Sequence, residues 1–229
     1  MTTSGTFPAS LKNKLIVSCQ ALPGDPLDDT DTLRRIAISV LRGGAGGLRA
    51  NGHDCIAAFR RETSLPIIGI LKQFEKGTPN ITPDFASAKI VADAGADVIG
   101  VDCSAGRFPT AEPWPQLLSR IRQELRLPVL ADIATLDDAR AAEQTGADGV
   151  ATTMFGYTPE TAGQRSINWT LVEELVKFVH LPVIVEGHIH HPEEVRRAFD
   201  LGAFAVVVGA AITQPGAITT RFVAGIGGD

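Results

Sequence analysis

Two recurring marks of punctuation constrain this chain more than anything else in it. Three times a helix-like segment closes on Gly-Ala and opens an apolar run: Ala94-Gly95-Ala96-Asp97, Thr145-Gly146-Ala147-Asp148 and Leu201-Gly202-Ala203-Phe204. Glycine suits the left-handed position that ends a helix. Leu-Pro also precedes an apolar run three times, at Leu65-Pro66, Leu127-Pro128 and Leu181-Pro182. Proline stops the helix before it and is tolerated at a strand's first residue. Both devices say β-α-β-α, with consecutive strands parallel.

The apolar runs are Leu15–Ser18, Gly47–Ala50, Pro66–Leu71, Asp97–Val101, Pro128–Ala131, Asp148–Ala151, Pro182–Val185 and Phe204–Val208. Each is too short for a helix, and several are apolar on both faces, as strands covered on both sides are. Helical spacing fills the gaps. Leu33, Ile36, Ala37 and Val40 share a face within Asp31–Leu41, and Val195, Ala198 and Phe199 do so within Pro192–Leu201. Another such segment is Asp137–Thr145, and a last one begins at Gly216. About eight βα units in 229 residues fit a (β/α)8 TIM barrel. The rival is an open doubly wound sheet, which normally has a phosphate-binding glycine loop after its first strand. Here that position reads Cys19-Gln20-Ala21-Leu22-Pro23. The glycines at 43, 44, 46 and 47 precede a strand and read as a helix-to-strand turn. With no linker or low-complexity segment, residues 1–229 are expected to form a single domain, with 1–12 as an N-terminal arm or helix.

Composition narrows the function classes. Lys plus Arg is 21 against Asp plus Glu 26, and no basic block is present, which disfavours nucleic acid. No apolar run approaches the roughly 18 residues of a membrane span, and no secretory signal is visible. Cys19, Cys55 and Cys103 stand far apart, which suggests reduced thiols in a cytoplasmic protein. Cys19 and Cys103 read better as small buried hydrophobes than as nucleophiles. His188, His190 and His191 lack an acidic or cysteine partner at ligand spacing, so they read as loop and not as a metal site.

A barrel gathers its active site at the C-terminal ends of its strands. The residues there are Gln20, Arg49 with Asn51, Lys72, Asp102, Asp132, Thr152 with Thr153, Glu186 and Gly209. A lysine, an arginine and three carboxylates converging on one mouth suit proton transfer on a polar, anionic substrate. Lys72 ends the run Ile67–Leu71, where lost hydration should lower its pKa and let it act as a base or form a Schiff base. The competing reading is a lysine that snorkels to solvent. Glu186 is expected on the opposite side of the barrel, as an acid/base or simply as a cation's partner. Gly187 and Gly209 follow the last two strands, where such barrels often cup a phosphate.

A family resemblance rests on these motifs together. Ser18-Cys19-Gln20-Ala21-Leu22, Leu48-Arg49-Ala50-Asn51-Gly52, Pro66-Ile67-Ile68-Gly69-Ile70 with Lys72, Ala131-Asp132, Ala151-Thr152-Thr153, Gly156-Tyr157-Thr158, Val185-Glu186-Gly187 and Val208-Gly209 resemble N-acetylmannosamine-6-phosphate 2-epimerases over nearly the whole chain. The resemblance implies a TIM barrel that interconverts N-acetylmannosamine 6-phosphate and N-acetylglucosamine 6-phosphate in sialic acid breakdown, with no cofactor or metal. It matches Lys72 to the family's catalytic lysine, Glu186 to its essential glutamate and Asp132 to the acidic residue at the mouth; for this reaction Lys72 is expected as base and returning acid, Glu186 for ring opening or the O1 proton, and Asp132 to orient Lys72 or stabilise its ammonium form. It also implies substrate contacts from Gln20, Arg49, Asn51, Thr152, Thr153, Tyr157, Gly187, Gly209 and Ala210. The family's Ile-Thr-Arg-Pro reads Ile212-Thr213-Gln214-Pro215 here, which leaves phosphate to backbone N–H groups. A Schiff-base aldolase and a non-catalytic sugar-phosphate-binding regulator are the other functions compatible with the residues. Assembly is open, with a homodimer among the options.

Overall fold

The computed structural model of the chain describes residues 6–75 and 78–226. Eight strands close a parallel barrel: β1 (Lys14–Cys19), β2 (Gly47–Asn51), β3 (Ile67–Ile70), β6 (Val98–Asp102), β7 (Val129–Asp132), β8 (Gly149–Ala151), β9 (Val183–Glu186) and β10 (Ala205–Val208). Around the ring the order is β1-β10-β9-β8-β7-β6-β3-β2. All eight expected strands are present, and the sheet is closed. Between β3 and β6 an unforeseen antiparallel hairpin, β4 (Lys72–Glu75) and β5 (Thr78–Ile81), leaves the barrel mouth.

The two punctuation devices meet in space. The prolines' carbonyls start the ladder to the neighbouring strand: Pro66 accepts from Leu48 N–H, Pro128 from Ile99 and Pro182 from Val150, each at 3.0 Å. The Asp of Gly-Ala-Asp then takes the N–H of the residue after Leu-Pro. Asp97 Oδ2 accepts from Ile67 N–H at 2.8 Å, and Asp148 Oδ2 from Val129 N–H at 2.9 Å. Each pair ties the bottom of one strand to the next, where backbone groups would otherwise lack partners. The glycines before them, Gly95, Gly146 and Gly202, all have φ between 93° and 99°, the left-handed position expected.

Helices α1 (Thr30–Arg42), α2 (His53–Arg60), α3 (Phe85–Asp93), α4 (Trp114–Arg120), α5 (Leu136–Thr145), α6 (Trp169–Phe178) and α7 (Pro192–Asp200) ring the strands. Their starts are specified locally. Asp29 caps α1 by accepting Thr32 N–H at 2.8 Å, and Thr135 and Asp138 make a capping box on α5. Inside the barrel, Ile16, Ile68, Val98, Leu130, Ile184 and Val207 form an apolar plug, closed from below by Phe7 and Leu11. The expected N-terminal arm thus serves as the barrel's floor; its residues 1–5 lie outside the described residues. At the other end of the chain, α8 (Ala210–Thr213) leads into α9 (Pro215–Ala224), which buries none of its residues and leaves Phe222 76% exposed.

Candidate active site

The floor of the mouth is an ionic cluster that joins three strands. Arg49, on β2, is only 1% exposed. Its Nη1 and Nη2 donate to Asp132 Oδ1 and Oδ2 on β7 at 2.9 and 2.7 Å. Nη1 also donates to Glu186 Oε2 on β9 at 2.5 Å and to Thr153 Oγ1 at 3.3 Å. Thr153 in turn donates to Asp132 Oδ1 at 2.5 Å. Burial works against the Arg49 charge, but Asp132 and Glu186 more than offset it and keep the guanidinium protonated. Room for this cluster requires a glycine on β6. A Cβ at Gly100 would stand 2.7 Å from Ile70 Cγ2 and 3.4 Å from both Arg49 Nη2 and Asp132 Oδ2.

Two expected site residues meet each other here. Arg49 commits both terminal nitrogens to carboxylates, and its Nε is buried without a partner among the described residues. Both oxygens of Asp132 are held by Arg49 and Thr153, so Asp132 acts on Lys72 through its charge, which favours the ammonium form. Taken one at a time along the chain, these strand ends give no sign that three of them pair with one another.

Lys72 follows β3 at the root of the hairpin. Asn51 Oδ1 accepts its backbone N–H at 2.8 Å, so Asn51 fixes the lysine's backbone instead of offering that oxygen to substrate. Lys72 makes no ion pair among the described residues. Burial pushes its pKa below the ordinary lysine value, and Arg49 adds to this, while Glu186 and Asp132 oppose it. Burial raises the Glu186 pKa; Arg49 pulls it down and Asp132 pushes it up. Thr152 fixes the Glu186 backbone in both directions, donating to its carbonyl at 2.8 Å and accepting its N–H at 3.0 Å. Lys72 leaves β3 and Glu186 ends β9, and those strands are four places apart in a ring of eight. The two groups therefore face each other across the mouth, as expected.

Other strand-end residues take distinct positions. Gln20 Nε2 donates to Ser18 Oγ at 2.8 Å, and its Oε1 is buried without a partner among the described residues. Tyr157 is exposed and stacks on His188, with ring centroids 5.7 Å apart, and Arg165 lies over its ring. In the sequence His188 reads only as part of a loop, and Arg165 carries no motif of its own. Gly187 and His188 both have positive φ, and the N–H groups of His188 and Ile189 make no backbone hydrogen bond among the described residues. Gly209 lies against Ser18 and leads into Ala210. Arg107 donates to the carbonyls of Asp102, Thr82 and Pro83, stapling its loop to the segment after the hairpin. Burial pushes the Cys19 thiol up to about 12 and Cys103 well above its ordinary value, so neither serves as a nucleophile.

Residues 33–228 match the family described as "Putative N-acetylmannosamine-6-phosphate epimerase". The chain belongs to this family. Relatives bearing the 2-epimerase form of that name, with the same qualifier, include one from Clostridium perfringens strain SM101, 42% identical over 93% of this chain and 96% of its own length. Another, from Cutibacterium acnes, is 40% identical over 93% of this chain and 94% of its own. Among solved structures, the N-acetylmannosamine-6-phosphate 2-epimerase from Clostridium perfringens superposes with a TM-score of 0.89 at 40% identity, covering 94% of each chain. A thiamine phosphate pyrophosphorylase from Pyrococcus furiosus, at 16% identity and a TM-score of 0.62, shares the fold alone. The epimerase family thus accounts for the whole barrel, and the resemblance drawn from the sequence motifs holds.

Proposed function

We propose that this chain is a 2-epimerase interconverting N-acetylmannosamine 6-phosphate and N-acetylglucosamine 6-phosphate, an isomerase of aminosugar and sialic acid breakdown. The observation that carries the mechanism is Lys72, half-buried, without an ion-pair partner among the described residues, and facing Glu186 across the mouth. The C2 proton of an N-acyl aminosugar is acidic only when C1 is an aldehyde, so the ring opens first. Glu186, with Oε2 held by Arg49, receives the O1 proton as the ring opens, while water protonates the ring oxygen. Neutral Lys72 then takes the C2 proton. The C2–H electrons move into the C1–C2 bond and the carbonyl π pair onto O1. A proton returned to the opposite face inverts C2; as the ring closes, Lys72 gives its proton to O1 and the closing hydroxyl returns its proton to the hydroxide left by the water. From the sequence that C2 return is expected of Lys72; the placement of Glu186 directly across favours the carboxyl that has just been loaded. Inversion by one amine would require the intermediate to turn over in the site, whereas two groups on opposite sides do not. Arg49 holds Glu186 in place and favours its charged form before it is loaded, against burial and Asp132.

The 6-phosphate is assigned to the loops after β9 and β10. There the N–H groups of His188 and Ile189 point to no backbone acceptor, and Gly209 and Ala210 open the adjacent turn. Arg221 of α9 stands beside this loop, its Nη1 3.3 Å from His190 Nδ1. Gln214 makes only a long contact, 3.5 Å from its Nε2 to the Gln20 carbonyl. Charge-assisted bonds to phosphate are roughly twice as strong as neutral ones. Gln214→Arg is therefore expected to tighten the phosphorylated sugar by about 1–2 kcal/mol and to leave the unphosphorylated sugar unchanged. Titrating both sugars against both proteins checks this, and equal gains for the two would mean that position 214 does not face the phosphate.

The test of the function is C2-proton exchange in deuterated water, with N-acetylmannosamine and its 6-phosphate offered separately. The expected result is deuterium at C2 of both epimers from the phosphorylated sugar. No exchange with either sugar would leave a binding protein. Covalent trapping of Lys72 by borohydride would make the chain a Schiff-base aldolase instead.

We further propose that the barrel works as a single domain in a homodimer, with a second copy covering α9. Phe222, Val223 and Ile226 leave one end of this helix apolar and exposed, and isolated monomers rarely keep such a patch. Sedimentation should give twice 24.2 kDa for the wild type and a monomer for Phe222→Asp. A monomeric wild type would remove this assembly. The three unpaired cysteines support a cytoplasmic location. No helix among the described residues is long and apolar enough to cross a membrane.

A further inference from the structure

One buried carboxylate at the mouth has no part in the mechanism above. Asp102 ends β6 and is 2% exposed. The alternation that turns Gly100 toward Arg49 and Asp132 turns Asp102 the same way, one step nearer the opening. Across the sheet its register partner is Asp132. Oδ1 is saturated, accepting Ser104 N–H at 2.9 Å and Ser104 Oγ–H at 2.7 Å. Oδ2 accepts no hydrogen bond among the described residues, and it is not one of their sealed, unpartnered side-chain atoms, so it is still reachable from the mouth. A carboxylate oxygen in that position accepts a donor that a ligand brings to it. Only the backbone carbonyl of Asp102, not its carboxylate, receives Arg107.

The ring order says which part of a substrate reaches Asp102. β6 is four places from β10, diametrically across the barrel from the loop assigned to the phosphate. A hexose 6-phosphate anchored there directs its far end, C1 and C2 with the acetamido group, toward β6. We propose that Asp102 Oδ2 accepts the amide N–H of the 2-acetamido group, making Asp102 the residue that selects 2-acetamido sugars over sugars with no donor at C2. This rests on the epimerase reading and the phosphate assignment given above. Burial pushes the Asp102 pKa up to about 6, with the Ser104 bonds and Arg107 opposing and Asp132 adding. The selectivity should then be full above about pH 6 and fade below it, as the acceptor takes up a proton.

The test is calorimetric titration with N-acetylglucosamine 6-phosphate and with 2-deoxyglucose 6-phosphate, which lacks any donor at C2. In Asp102→Asn one side-chain oxygen becomes an NH2 group. Whichever way the amide turns, a donor faces either Ser104 or the substrate N–H. The expected result is a loss of about tenfold or more in affinity for the acetamido sugar, the scale of one charged hydrogen bond, with the deoxy sugar unchanged. Equal losses for both, or none for either, would overturn the proposal. A second measurement needs no variant. In the wild type, the ratio of the two affinities is followed from pH 5 to 8. The charged groups around Asp102 are Asp132 on β7, Arg49 on β2, Lys72 at the end of β3 and Arg107 from its own loop; these and the phosphate are common to both complexes and cancel in the ratio. A ratio that falls below pH 6 supports the proposal, and a flat ratio overturns it. Failure of the wild type to bind either sugar phosphate would strike the epimerase reading itself, a result separate from loss of selectivity in a protein that binds both.

Discussion

Lys72→Ala is expected to remove C2-proton exchange, by about 10²–10⁴-fold as for loss of a positioned general base, while the protein stays folded. The fold should survive because Lys72 has no ion-pair partner among the described residues to orphan, and burying its amine is itself unfavourable. Circular dichroism and turnover measured together check both halves. Residual activity above roughly a tenth of wild type, a barrier change of at most about 1.4 kcal/mol, would mean that Lys72 is not the base. The wild-type pH profile offers an independent reading. A lysine base acts only when neutral, so kcat/KM should rise with pH through the Lys72 pKa. Burial and Arg49 both lower that pKa, so the rising limb should lie below the ordinary lysine value of about 10.4. A limb at or above that value would contradict a desolvated base.

Arg49→Met should have the largest effect on stability. The guanidinium is the shared partner of Asp132 and Glu186, and all three are buried or nearly so. Removing one member of a buried ionic group leaves the others uncompensated, typically at about 3–5 kcal/mol. Methionine fills similar volume, so the loss reports charge more than a cavity. Activity should fall as well, since Glu186 loses the bond that holds Oε2. The pH dependence carries the sign of the explanation. Arg49 now pulls the Glu186 pKa down against the upward push of burial; without it the folded-state pKa rises further above its unfolded value. Proton uptake then favours the folded state, so the deficit against wild type should shrink as the pH falls from 7 toward 5. Denaturant melts at several pH values measure this. A deficit constant with pH would assign the role of Arg49 to packing.

Much of the site was legible because a barrel converts position along the chain into position in space. Each strand run ends at a known place, so Lys72, Asp132 and Glu186 could be assigned to one mouth from their place after an apolar run. The hairpin at Lys72–Ile81 was not legible: its strands lack an apolar alternation, and they pair with each other outside the barrel wall. The ionic setting of Arg49 was not legible for a different reason. Its partners lie 83 and 137 residues away, and nothing local distinguishes an arginine that will be buried between carboxylates from one that greets a substrate. Gly100 escaped notice likewise, and Asp102, though read at a strand end, had no role of its own. The first matters only because Arg49 and Asp132 crowd it, and the second only because β6 stands across from β10.

The sequence by itself determined the alternation of strands and helices, their parallel sense and the helix stops. Those depend on side-chain periodicity, the φ > 0 tolerance of glycine and the missing N–H of proline, all properties of a few consecutive residues. Its motifs also determined the family. Tertiary structure alone decided which charges neutralise one another and which stay free. Ring closure sets Arg49 against Asp132 and Glu186 and leaves Lys72 without an ion-pair partner among the described residues. Electrostatic partnership falls off with distance in space and is blind to separation along the chain. The acid–base character of the mouth is therefore a property of the closed barrel, not of any one of its strands.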